Sequence, residues 1–140
     1  MRLIDTNIFL RYLTGDDPEK GRDVLELLKR MERNREKATT NLLVIFETVF
    51  TLEKFYKVGK KEIRDLLTPI LELRGLRFSE AGMVLDALDI FSEQNISFAD
   101  AFNAAFMQAH GIQEIYSYDG DFDKIANIER VEPPSGREYI

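Results

Sequence analysis

The side chains of this sequence that could do chemistry are its acids. With no Cys and a single His, cysteine catalysis, a Ser-His relay and a Cys/His zinc site all lack raw material. Four acids stand out by position. Asp5 directly follows Leu3-Ile4, and Glu47 is the only charge between Asn41 and Leu52. Asp100 closes Ser97-Phe98-Ala99-Asp100, and Asp119 heads Asp119-Gly120-Asp121. Each has an ordinary reading when taken alone. Asp5 can be a plain cap or turn residue, Glu47 can pair with Lys54 two turns on, Asp100 completes a capping box, and Asp119-Gly120-Asp121 is a tight turn. Brought together, they repel: two like charges about 4 Å apart cost roughly 4 kcal/mol at an effective dielectric of about 20, against a domain stability of about 5–15 kcal/mol. Convergence therefore demands a cation. Oxygen-only ligands favour hard ions, Mg²⁺ first and Mn²⁺ as its substitute. Such an ion lowers the pKa of a water, orients it, and neutralises charge building on a phosphate. The expected reaction is phosphodiester hydrolysis.

A calcium loop is the obvious competitor, because Asp119, Asp121 and Asp123 occupy relative positions 1, 3 and 5. It fails at positions 6 and 12, where Lys124 and Arg130 replace the required Gly and Glu.

Elements that bring these acids to one place can be read from periodicity. Arg2-Leu3-Ile4 is expected as a short buried strand, with a helical turn from Asp5 through Ile8, Phe9 and Tyr12. Asp17-Pro18 opens an amphipathic helix carrying Val24, Leu27, Leu28 and Met31. Lys37-Ala38-Thr39 is a weak second strand, and Asn41 caps a helix over 42–56. A helix over 60–73 should be kinked or divided by Pro69, and Arg77-Phe78 reads as a brief strand. Helices over 83–91 and 97–110 follow, the latter closed by Gly111. A strand over 115–118, a short helix after Phe122, a strand over 128–131 and a tail from Pro133 complete the chain. Strands separated by helices imply an α/β fold with a mostly parallel sheet covered on both faces. In such sheets function gathers at the carboxyl ends of the strands, where Asp5, Asp119 and the starts of the helices bearing Glu47 and Asp100 should meet.

Length and composition agree with one folded domain over residues 1–140. The chain is 44% apolar and 31% charged, far from the signature of disorder. Its longest apolar run, Leu42 to Phe46, is too short to span a bilayer, and Met1-Arg2-Leu3 leads directly into structure, so a cytoplasmic location is expected. A net charge of −6 gives no global attraction to nucleic acid.

The motifs in order resemble those of the PIN-domain ribonucleases, and within them the VapC-type toxins of toxin-antitoxin pairs. The likeness runs through Asp5-Thr6-Asn7, Phe9-Leu10-Arg11-Tyr12-Leu13, Asp16-Asp17-Pro18, Glu47 in its apolar helix, Asp100-Ala101, and Ser117-Tyr118-Asp119-Gly120-Asp121-Phe122. It covers nearly the whole length. The resemblance implies a three-layer α/β/α fold with four to five short strands and a metal-dependent endoribonuclease. It implies Asp5, Glu47, Asp100 and Asp119 as the acidic set, Asp121 as a fifth metal ligand, and Thr6, Asn7 and Ser117 in support, with Asn7 orienting Asp5. A homodimer and a small antitoxin that fills the site are implied with it. Contacts to RNA phosphates would come from Arg11, Lys54, Lys57, Lys60 and Lys61, although a solvated corner is the commoner meaning of such a cluster.

Two other readings compete. A catalytically silent module would keep the fold and bind RNA or protein without cutting, but intact acids at all four positions favour the enzyme. Asp5-Thr6-Asn7 also resembles the aspartyl-nucleophile phosphatases, whose motif has a second Asp where Asn7 stands.

Overall fold

The computed structural model describes residues 1–136. Helices dominate it, and α1, α2, α3 and α6 are capped by the polar residues Asp5, Asp17, Asn41 and Ser97 that precede them. The elements are β1 (Arg2–Leu3), α1 (Thr6–Thr14), α2 (Pro18–Glu32), β2 (Ala38–Thr39), α3 (Leu42–Lys54), α4 (Lys60–Leu71), α5 (Ala81–Glu93), α6 (Phe98–Ala109), β3 (Glu114–Tyr116), a 3₁₀ turn (Gly120–Lys124) and β4 (Glu129–Val131). Asp17 receives the Lys20 N–H at 3.1 Å ahead of Pro18, and Asn41 receives the Val44 N–H at 3.0 Å. Each satisfies a backbone donor that the first helical turn would leave unpaired.

Apolar spacing decides which helix faces turn inward. Val24, Leu28 and Met31 of α2, and Ile63, Leu67 and Ile70 of α4, recur at helical intervals and are buried. They join Phe9, Ile45, Leu52, Leu88 and Phe91 in one contiguous core. Each such side chain contributes about 1.5–3 kcal/mol by leaving water. α5 packs most extensively on α6, α1 lies against α2, and α3 contacts α1, α4 and α6. The helix bearing Glu47 thereby touches those that start beside Asp5 and Asp100.

All strand pairing is parallel, as a chain of strands separated by helices requires. β1 pairs with β2, placing Arg2 opposite Ala38 and Leu3 opposite Thr39, and β3 pairs with β4. Among the described residues the strands form two two-stranded sheets, with one further bridge from Ala38 to Leu76. The expected strand at Arg77-Phe78 is therefore this single bridge, secured by Ala38 N–H to Gly75 O at 2.9 Å and Arg77 N–H to Ala38 O at 2.7 Å. Nor is the first strand buried throughout: Arg2 and Leu3 are exposed and only Ile4 enters the core.

Two more expectations need correcting. α4 is one continuous helix through Pro69, Lys60–Leu71, so the proline does not divide it. The short helix near Phe122 starts earlier, at Gly120, because Asp119 caps it. The end of the tail, residues 137–140, lies outside the described residues. One glycine is required by close approach. A Cβ on Gly75 would stand 2.1 Å from the Glu36 carbonyl oxygen and 2.9 Å from Met31 Cα, so only a residue without a side chain lets this loop pass the end of α2.

Candidate metal centre

Asp100, Asp119 and Asp121 come together. Each offers a carboxylate oxygen, and these oxygens all lie within 4.8 Å of one another. Two local structures create the meeting. Ser97 caps α6 by accepting the Asp100 N–H at 3.1 Å, which fixes Asp100 in the first helical turn. After β3, Ser117 accepts the Asp119 N–H at 2.9 Å, and Asp119 accepts the Asp121 N–H at 2.9 Å as it opens the 3₁₀ turn. Ser117 thus positions the Asp119 backbone. Asp123 is not part of the group, since it pairs with Arg130 at 3.2 Å.

The electrostatics carry the mark of convergence. The Asp100 carboxyl is held above its ordinary pKa, chiefly by burial, then by its hydrogen bond with Asp119 and by the Asp119 charge; a hydrogen bond from Ser97 opposes the shift and the Asp121 charge adds to it. One cation already lies among the acids. Lys124 Nζ stands 3.0 Å from Asp121 Oδ1 and donates to the Asn95 carbonyl at 3.1 Å. Sequence reasoning missed this lysine, although its place three residues after Asp121 in a helical turn was a usable signal.

Asp5 and Glu47 stand outside the close trio. Asp5 is exposed and its Oδ1 accepts the Thr6 N–H at 2.8 Å, so it opens α1 as a cap. That bond comes from Thr6 rather than from Asn7, which is exposed. The Thr6 hydroxyl is buried with no hydrogen-bond partner among the described residues, an unmet polar group beside Asp5. Glu47 is exposed on α3 rather than enclosed by its apolar neighbours. Nor does Lys54 serve it, because that ammonium pairs with Glu53 at 3.7 Å. The next residue back, Phe46, packs on Phe98 at 4.9 Å and on Phe102 at 5.6 Å between ring centroids, holding α3 against the turn that carries Asp100.

A groove of about 560 Å³ adjoins the trio, lined among others by Phe46, Phe50, Lys54, Lys60, Asp121 and Lys124. Of the expected phosphate-binding residues, Lys54, Lys57 and Lys61 are exposed and Arg11 is half-buried. Lys60 has a different task. Its ammonium donates to the Ile96 carbonyl, lies 3.7 Å from Glu53 and sits 4.0 Å from the centre of the Phe91 ring. Burial lowers its pKa against the opposing pull of Glu53. His110 behaves as a helix-end residue, stacking on Phe106 at 4.1 Å.

Among the described residues no helix is long and apolar enough to cross a membrane. The chain is similar to the VapC ribonuclease of Aquifex aeolicus (strain VF5), at 26% identity over 125 residues that cover 89% of this chain and 92% of that protein. Residues 2–128 match the model of the PIN domain, so the chain belongs to the PIN domain family and has its three-layer α/β/α fold.

Proposed function

We propose that the protein is a Mg²⁺-dependent endoribonuclease, with Mn²⁺ an acceptable substitute, and that it acts as the toxin of a type II toxin-antitoxin pair in the cytoplasm. The observation that carries this reading is the meeting of Asp100, Asp119 and Asp121 within 4.8 Å in a PIN domain. The donor set fits the metal: carboxylate oxygens alone, without nitrogen or sulfur, suit a hard divalent ion. Asp100, Asp119 and Asp121 would hold it, with Asp5 and Glu47 completing the acidic set. Bound there, the ion would supply Lewis acidity to activate a water and offset charge on the scissile phosphate.

The chain's own residues prepare that site. Ser97 and Ser117 lock the backbones of Asp100 and Asp119, so little ordering remains when ligands bind. Lys54 and Lys124 on the groove offer cations to the RNA backbone of an otherwise acidic protein. Leu43 and Phe50 of α3 and Phe106 of α6 are 80%, 64% and 41% exposed, apolar side chains that a second copy of the chain would cover. A small antitoxin protein would silence the site by covering it.

The test is cleavage of a structured RNA by purified, partner-free protein with Mg²⁺ or Mn²⁺. Activity should disappear with chelator and fall by more than about 100-fold in Asp5→Asn and in Asp100→Asn while both stay folded. Failure to cut any RNA with either ion would instead support a silent binding module, and turnover of small phosphomonoesters would support a phosphatase.

A further inference from the structure

The loop that launches α6 is pinned by two ammonium groups on consecutive carbonyls. Lys124 donates to Asn95 and Lys60 donates to Ile96, two and one residues before the Ser97 cap. The two lysines differ in every other respect. Lys60 is the more enclosed, its side chain 27% exposed against 44% for Lys124, and it is held also by Glu53 and the Phe91 ring. Among the described residues Lys124 has one further partner, Asp121, a member of the acidic trio. One cation is thus built into the loop's support, and the other stands where a metal ligand is needed.

We propose that Lys124 is a built-in counter-cation of the acidic trio: it neutralises Asp121 in the metal-free protein and is displaced by the divalent ion. The inference rests on the metal-binding reading given above. The geometry supplies its logic. Asp121 already gives Oδ1 to an ammonium 3.0 Å away, and a doubly charged ion drawn to the same carboxylate competes with that ammonium for its charge. Divalent charge wins where three carboxylates meet, since one ammonium offsets only a third of their negative charge. Departure of Lys124 leaves the loop anchored, because Lys60 keeps its hold on Ile96, so Asp100 stays in position. The released ammonium remains on the groove wall. Metal binding would therefore add an unpaired cation to the surface that faces RNA.

The sign of one effect separates this role from simple structural support. Mn²⁺ binding to the full chain is measured by electron paramagnetic resonance and calorimetry, without RNA, for wild type, Lys124→Met and Lys124→Arg. A half-exposed ion pair is worth up to about 1 kcal/mol, so Lys124→Met should bind Mn²⁺ up to about fivefold more tightly, while Lys124→Arg should match wild type. Because Lys124 lies at the surface, the Met variant should fold, and circular dichroism checks that it does. Unchanged or weaker Mn²⁺ binding in Lys124→Met would overturn the proposal while leaving the metal site intact. Absence of Mn²⁺ binding in wild type would overturn both.

Discussion

Replacing Asp100 by Asn should make the metal-free protein more stable at neutral pH. At the 4.8 Å that bounds the trio, two carboxylates repel by about 3 kcal/mol at an effective dielectric of about 20 and about 1 kcal/mol in bulk water. Asp100 is only half-buried, so the lower part of that range applies, and Lys124 already offsets part of the Asp121 charge. Against this gain stands a loss. An acid in the first turn of α6 interacts favourably with the helix dipole by about 0.3–1 kcal/mol, which Asn forfeits. The net expectation is stabilisation of about 1 kcal/mol, or roughly 3 °C in Tm for a chain of this length. The pH dependence has a definite sign. A carboxyl whose folded pKa is raised contributes stability that is present below its unfolded pKa and lost as pH rises through the folded one. The variant's advantage should therefore vanish as pH falls below about 4, where the carboxyl is protonated in wild type too. Thermal melts by far-ultraviolet circular dichroism in EDTA and low salt measure this directly, and added Mg²⁺ should raise the wild-type Tm more than that of the variant. A variant destabilised by about 1 kcal/mol in EDTA, with no dependence on salt or pH, would refute the repulsion argument.

Other expectations follow from individual contacts. Gly75→Ala should destabilise the fold by about 2–3 kcal/mol or more, read from urea denaturation, because its Cβ meets backbone atoms rather than a movable side chain. Lys60→Met removes the support of Ile96 and the ion pair with Glu53; it should loosen the start of α6, seen as faster amide exchange there, and weaken Mn²⁺ binding, the opposite sign to Lys124→Met. If α3 and α6 carry the contact between copies, the double variant Leu43→Lys and Phe106→Lys should sediment as a monomer with an unchanged circular dichroism spectrum.

How much of this was legible beforehand depended on the kind of signal. Helix caps were legible because they rest on local chemistry: Asp17, Asn41 and Ser97 each accept the backbone N–H expected of them. Asp100 and Asp119 were legible from topology, since strand ends and helix starts share an edge. Glu47, the one charge in its apolar stretch, faces solvent because the apolar residues around it in sequence point elsewhere on the helix; Ile45, Thr48 and Val49 go inward while Glu47 and Phe50 are exposed. Pro69 does not divide α4, which continues to Leu71. Gly75 was illegible, for its need arises from Met31 and Glu36, some forty residues earlier in the chain. The bridging role of Lys124 likewise depends on Asn95, a contact that only the folded chain creates.

Diffraction from crystals grown with Mn²⁺ shows whether the acids of this chain hold a divalent ion. An anomalous peak is expected roughly 2.1 Å from carboxylate oxygens of Asp100, Asp119 and Asp121, with Lys124 withdrawn from Asp121. Saturating Mn²⁺ that leaves this site without a peak, with the Asp121–Lys124 pair intact, would contradict metal binding by these acids.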